Sequence, residues 1–304
     1  MRVAITGGTG MIGAALAEAL RSRGDEVWVF TRSQPRSSHD IQWNPSRPIS
    51  GVRHLEGLDA VVNLCGAPLA TRPWTRTRRH VLVASRVDAT HQLIQSLASL
   101  SHPPRALIGA GLLGRFGDRG EAWIDDDDPV STGFLAELAS SWEDANLGAG
   151  KAWGARVAVL RMALVLGGAG AFPLMVLPFR HGFGGWLGDG RQYTAWLSLD
   201  DAVGAFLHLI DHPDAEGGFN GSVPDPVPNR AWCEALGRAL GKPVKTHAPK
   251  WALRGALGEL ANGVFLASCR ARPRKLIEAG FRFRDPEVEP VFRRLAAGLD
   301  QSDG

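Results

Sequence analysis

The chain has 304 residues, 44% hydrophobic and 21% charged, enough to bury a large core as one big domain or two coupled ones. Its 34 basic and 31 acidic residues give a formal charge of +3 and a pI near 9.0, with no polybasic arm or stripe, so nucleic acid is excluded as a partner and a phosphate-bearing small molecule suits the excess. Cys65, Cys233 and Cys269 are odd in number and far apart, which argues against disulfides and thiolate metal sites and for a reducing cytoplasm; no apolar run reaches the length of a membrane span.

Arg2 to Thr6 is a short apolar run ending in Gly7-Gly8-Thr9-Gly10, and Met11 to Arg23 carries apolar residues at helical spacing until Gly24. That pattern predicts strand, turn and helix, and leaves no room for a signal peptide. Glu26 to Thr31 and Leu58 to Leu64 read as further strands, Trp74 to Leu100 as one long basic amphipathic helix. Arg105 to Ala110 and Arg156 to Val165 read as strands flanking a helix from Phe134 to Gly148. Strands alternating with helices predict an α/β fold, a Rossmann-type doubly wound parallel sheet over residues 1–166, with parts of 191–223 returning to it. After Leu166 a glycine-rich aromatic stretch and Pro-separated helices predict a smaller discontinuous lobe over 167–304. Asp125 to Asp128 is expected to be a solvated loop.

Gly8-x-Gly10-x-x-Gly13 and Gly7-x-x-Gly10-x-x-Gly13 share one loop between strand and helix. The spacing supplies a tight turn, bare backbone for a diphosphate, a small residue where helix meets sheet, and a helix N-terminus for negative charge. Gly7, Thr9, Gly10, Met11, Ile12 and Gly13 are therefore expected to line a dinucleotide. The second strand ends without the acidic residue that would take the ribose 2′-hydroxyl of NAD; Thr31, Arg32 and Ser33 stand there instead, which suits the 2′-phosphate of NADP(H).

With this loop, Asn63-Leu64-Cys65-Gly66, Trp74-Thr75 and Ser85-Arg86, the sequence resembles the atypical extended short-chain dehydrogenases of the epimerase family, sugar-nucleotide epimerase-like proteins with a C-terminal domain of unknown function. Further likeness runs through Gly114 to Glu121, which resembles the family's GYYGDxGE-like loop, Trp142-Glu143, Gly184-Gly185, Gly188 to Gln192, Trp196 to Asp201, and Pro273 to Phe283 with its terminal A-G-F-x-F. The resemblance implies that Thr31 and Arg32 take the adenosine phosphate, that Leu64, Cys65 and Gly66 border the cofactor, and that Arg86 and Val165 line its further course. Arg86 also reads as one of several solvated arginines on a basic helix.

Short-chain enzymes use a Tyr-x-x-x-Lys pair to move a proton while hydride passes to or from nicotinamide. Tyr193 is the chain's one tyrosine, and Leu197 stands where its lysine would be. With Glu143 as anchor, Leu135 and Ala139 occupy the pair's positions, and Ala67 and Ser198 depart from the family's common glutamate and histidine. Asp118 and Glu121 are the candidate replacement bases. Arg161, Arg191, Gln192 and Tyr193 are the candidate substrate contacts, with Trp186, Trp196 and Phe183 as a possible stacking floor. Asp200-Asp201 is expected to cap a helix on which His208 and His212 sit at helical spacing, read as helix-end histidines without a metal. Two functions stay open: an NADP(H)-dependent oxidoreductase or epimerase-like enzyme on an unknown small molecule, or a non-catalytic NADP(H)-binding redox sensor or scaffold.

Overall fold

The computed structural model describes residues 1–302, with side chains to Leu299. A seven-stranded sheet forms its centre, built from β1 (Arg2–Thr6), β2 (Glu26–Thr31), β3 (Asp40–Gln42), β4 (Ala60–Asn63), β5 (Ala106–Leu112), β6 (Arg156–Met162) and β7 (Gly217–Gly221). The order is β7-β6-β5-β4-β1-β2-β3, all pairs parallel. Val3, Ala4, Ile5, Val61, Val62, Leu107 and Ile108 are fully enclosed, because helices cover both faces and an unbroken apolar run fits a strand with no solvent side. The strand order reverses between β1 and β4, where an open α/β sheet leaves its binding crevice.

Helix α1 (Met11–Ser22) packs Leu16 and Leu20 with the Val203, Phe206 and Leu209 of a later helix in the main core. The opposite face takes α2 (Arg76–Val83), α3 (Ala89–Leu97) and α4 (Phe134–Trp153), where Leu93, Leu97 and Ala149 are buried. Trp74 to Leu100 is not one helix. Thr75 caps α2 by accepting from Arg78 N at 3.2 Å, and a π-helical turn, Ala84–Asp88, separates α2 from α3. Such an inserted turn changes which side chain faces the core, and here it turns Arg86 inward.

The run Arg156 to Val165 also breaks. The Ala163 N–H makes the last bond to the sheet, to Gly221 O at 3.0 Å, and Leu164–Leu166 pairs instead with Trp196–Ser198. From there the smaller lobe begins with α5 (Phe172–Arg180), and the chain returns to the sheet layers through α6 (Leu199–Asp211) and β7 before α7 (Asn229–Ala239) re-enters the lobe. Phe172, Val176, Trp196, Trp232, Leu236 and Phe292 make a second core there. Trp196 is thus a packing residue rather than part of a stacking floor, while Phe183 is exposed.

Two acidic expectations need correction. Ser198, not Asp200-Asp201, caps α6, accepting from Asp201 N at 3.0 Å. The Asp201 carboxylate instead accepts from the backbone of Arg284 and Asp285 at 2.8 and 3.0 Å. Asp126 is not solvated: it is 2% exposed and accepts from Asn220 N at 2.6 Å and Lys275 N at 3.0 Å. Both tie the terminal segment to the sheet layers. Among the described residues no helix is long and apolar enough to cross a membrane.

Candidate functional site: a glycine cradle and a closed helix

The turn after β1 holds Gly7 at φ +67°, a conformation glycine adopts freely. A Cβ there would stand 2.6 Å from Leu64 O, and one at Gly13 would stand 2.4 Å from Gly7 O. These two glycines exist for backbone packing. Gly10 differs: its Cβ would meet only Gly7 O, at 3.3 Å, and the residue is exposed together with Thr9. Gly10 also opens α1 without a side-chain cap, and the first turn has no acidic residue. Ala14 N makes the first intrahelical bond, to Gly10 O at 2.8 Å, so the N–H groups of Met11, Ile12 and Gly13 precede the ladder and point out of the helix end. Donors, a positive dipole end and open space beside Gly10 together fit a diphosphate.

Arg32 is exposed at the end of β2, and Thr31 is half-buried with its Oγ1 accepting from Ser33 N at 3.2 Å. No acidic side chain follows the strand until Asp40, which is occupied with the N–H groups of Arg36 and Ser37. Leu64 and Cys65 border the cradle, half-buried; burial pushes the Cys65 thiol up, so it stays protonated at neutral pH. Val165 is half-buried opposite Leu197, and Met11 touches the glycine-rich segment, since a Cβ at Gly167 would lie 2.7 Å from its sulfur.

Beneath the cradle is a buried polar network that the sequence reading does not contain. Thr6 Oγ1 donates to Asn63 Oδ1 at 2.8 Å, and Asn63 Nδ2 donates to Thr90 Oγ1 and Asn146 Oδ1, both at 2.8 Å. Leu64 N donates back to Thr6 Oγ1 at 3.0 Å, and Asn146 donates to Trp142 O at 3.0 Å and Ala110 O at 3.3 Å. Gly109 makes room, as its Cβ would stand 2.6 Å from the Asn146 amide. The network joins β1, β4, α3, α4 and β5 beside the crevice, and Thr6, Asn63, Thr90 and Asn146 are all fully enclosed. The signal available in sequence was Asn63, a polar residue ending an otherwise apolar strand.

Helix α4 carries apolar residues at the two positions where short-chain enzymes have their tyrosine and lysine. Leu135 and Ala139 are 8% and 1% exposed, and Leu135 lies in an apolar cluster with Trp74, Leu82, Leu138 and Leu260. One turn on, Glu143 is clamped by Arg161, with Nε and Nη2 donating at 2.8 and 2.6 Å, and by Arg115 at 2.6 Å. Burial opposes ionisation of Glu143, but the hydrogen bonds and charges of Arg161 and then Arg115 outweigh it and hold its carboxyl below the usual range. Arg161 also donates to Asp126 O at 2.5 Å. It is a buried brace and is not free to clamp a substrate.

The loop carboxylates are similarly occupied. Asp118 Oδ1 accepts from Gly120 N at 3.0 Å and Ser268 N at 3.2 Å, which makes it a loop-shaping group rather than a base poised over a cleft. Glu121 pairs with Arg191 at 2.9 Å, both exposed. Gln192 is buried and donates to Leu187 O and Phe265 O at 3.0 and 3.3 Å. Tyr193 is half-buried against the Arg270 guanidinium, 4.5 Å from the ring centre, with Trp123 covering Arg270 at 3.9 Å. His208 and His212 face each other at 5.4 Å, and His208 packs against Phe281; no group of three or more metal-ligating side chains forms among the described residues.

Comparison with known proteins places these features. Residues 3–220 match the family model described as NAD dependent epimerase/dehydratase family, and residues 248–295 match a domain of unknown function, DUF1731. An epimerase family protein of Mycobacterium leprae is 38% identical over 282 residues, covering 92% of this chain and 91% of that one. The crystal structure of human epimerase family protein SDR39U1 (isoform2) with NADPH is 30% identical, with a TM-score of 0.88 over 98% of this chain and 100% of that one. The UDP-glucose 4-epimerase of Thermotoga maritima, solved with UDP-glucose, shares the fold at 16% identity, with a TM-score of 0.81 over 100% of both chains.

Proposed function

The chain belongs to the NAD dependent epimerase/dehydratase family, and from that premise we propose that it is an NADP(H)-dependent oxidoreductase whose own side chains supply no tyrosine acid. The observation that carries the cofactor half is the cradle: an uncapped α1, an open Gly10 and an exposed Arg32 with no acidic residue beside it. The N–H groups of Met11 to Gly13 would hold the diphosphate, Thr31 and Arg32 the 2′-phosphate. Bound there, the cofactor supplies hydride-transfer chemistry. The human relative solved with NADPH supports the same choice of cofactor.

For the chemistry, Leu135 and Ala139 keep the helix apolar where a proton would be exchanged, and the role falls to solvent. General acid catalysis contributes about a hundred- to ten-thousand-fold in rate, so turnover of carbonyl compounds is expected to be slower by that order than in tyrosine-bearing enzymes of the fold. A second reading, NADP(H) held without turnover as a sensor or scaffold, is favoured by the engagement of Asp118 and Glu121 within their own loops. NADPH and NADH are titrated by tryptophan fluorescence, and NADPH oxidation is followed over a panel of carbonyl compounds. Tighter NADPH binding with slow turnover supports the first reading, tight binding with none the second, and equal or better NADH binding overturns the cofactor assignment.

A further inference from the structure

Trp123 and Ile124 pair in parallel with Arg270 and Ala271. Ile124 and Ala271 are fully enclosed in a small core with Leu113 and Phe116, just after β5. Side chains alternate along a strand, so Trp123 and Arg270 stand on the opposite, outer face of this ribbon. The Arg270 guanidinium lies 3.9 Å from the Trp123 ring centre and 4.5 Å from that of Tyr193. Arg272, two residues on, lies 4.3 Å from the same Trp123 ring.

The cations on this face are unequally matched. Arg274 pairs with Asp127 at 2.8 Å and Glu278 at 3.1 Å, Lys275 with Asp127 at 2.5 Å, and Arg272 with Asp125 at 3.6 Å. Arg270 has no carboxylate partner among the described residues, and its buried Nε has no acceptor. Aromatic rings attract a guanidinium through its flat face and leave the N–H groups at its edge unused. Rings in place of water on that face also lower the local dielectric, so the cation gains more from an anion than one in bulk solvent would.

Trp123 is also one wall of a groove of about 430 Å³, with Pro224, Pro273 and the exposed Ile277 as its other apolar walls. That volume lies within the range of small-molecule sites. A flat apolar body fits against the indole and the two prolines, and a planar guanidinium edge matches a carboxylate in two-point geometry. Glu278 lines the groove, and Asp125 and Asp127 sit at its arginines, so one negative charge is tolerated there better than the two of a phosphate dianion. We propose that Arg270 and Trp123 form a binding site for a small carboxylate with a flat apolar body. The site faces away from the end of β5, is separate from the cofactor crevice, and stands whether or not the function proposed above holds.

The test uses the full chain. Sodium 1-naphthoate, the neutral 1-naphthylmethanol and inorganic phosphate are titrated calorimetrically into wild type, Arg270→Gln, Arg270→Lys and Trp123→Leu, with circular dichroism to check that each variant is folded. The expected result is saturable naphthoate binding to wild type, weakened by about tenfold or more in Arg270→Gln, as for the loss of a hydrogen bond to a charged group, and weakened as well in Trp123→Leu. The alcohol and phosphate should each bind wild type more weakly than naphthoate. Should Arg270→Gln not fold, Arg270→Lys decides: it keeps the charge without the planar edge, and naphthoate binding unchanged from wild type overturns the two-point contact. Equal naphthoate binding in wild type and Arg270→Gln would reduce Arg270 to a packing partner of two rings. An alcohol that binds as tightly as naphthoate would leave only an apolar groove, and tighter phosphate binding would remove the carboxylate class. Absence of naphthoate binding to wild type overturns the proposal, as does displacement of naphthoate by NADPH, which would put it in the cofactor crevice.

Discussion

The two ends of the crevice are built on opposite principles. At the β1–α1 end, backbone donors are left outward and unpaired, Gly10 opens on free space and Arg32 stands in solvent. At the α4 end, nearly every polar group is already spoken for: Glu143 by two arginines, Asp118 by two backbone N–H groups, Asn146 by its network, with Leu135 and Ala139 closing the rest. Unsatisfied groups at a rigid surface wait for a ligand, whereas satisfied ones hold the scaffold together. The contrast teaches that this fold can leave donors unpaired where its cofactor binds while the neighbouring helix α4 spends its polar groups on holding the scaffold together.

The contrast breaks most visibly if Glu143 is not structural. Glu143→Gln leaves Arg161 and Arg115 without their shared carboxylate and is expected to destabilise the fold by about 3 to 5 kcal/mol, the range for breaking a buried pair, measured by denaturant unfolding. Since the folded pKa of Glu143 lies below the ordinary 4.5, its contribution is fully present above the unfolded value and is lost as pH falls through the folded one. Wild type should lose this increment on acidification below about 4.5, and the glutamine variant should lack that part of the pH dependence. An acid limb unchanged in Glu143→Gln would show that other carboxylates dominate.

Next in size, Gly10→Val should abolish NADPH binding, a loss of at least about a hundredfold, because its branched side chain would fill the space the diphosphate needs. The melting temperature should move little, as the Cβ has only Gly7 O nearby. Retained binding would place the cofactor elsewhere. Arg32→Ala should weaken NADPH by on the order of 1 to 3 kcal/mol, the range for a hydrogen bond to a charged group, and leave NADH almost unchanged. A parallel loss for both cofactors would assign Arg32 to the shared half of the molecule. The smallest effect is expected from Glu121→Gln, which removes one exposed ion pair with Arg191 and should change stability by less than about 1 kcal/mol. If NADPH oxidation collapses in that variant, a loop carboxylate is the acid and the closed picture of the α4 end is wrong.

Much of the cofactor end is legible in sequence because its determinants are local. A short strand with three apolar residues, a glycine turn and a helical period lie within Arg2 to Ser22, and their geometry follows from chain neighbours alone. The α4 end depends on contacts between distant residues. Arg161 reads as a free cation in a strand until the fold sets it against Glu143, and Asp126 reads as one of four solvated acids until β7 and Lys275 supply N–H groups. The burial of Arg86 was hidden differently: the apolar period runs through Trp74 to Leu100 without revealing the π-helical turn that rotates this arginine inward. The edge strand β3, three residues of mixed burial, has too little periodicity to read at all.

The carboxylates of Asp126 and Asp201 set a timetable for folding. All seven sheet strands have been synthesised by Gly221, yet each of these two buried acids draws backbone N–H groups from Lys275 or from Arg284 and Asp285. While the ribosome is still extending the chain, those oxygens must keep water, and the layers around them cannot shut. A nascent chain stalled before Lys275 is therefore expected to be cut readily by protease within the sheet layers, whereas the released chain resists. Translation, by delivering the last ties late, would fix the moment at which the receptor becomes a stable object.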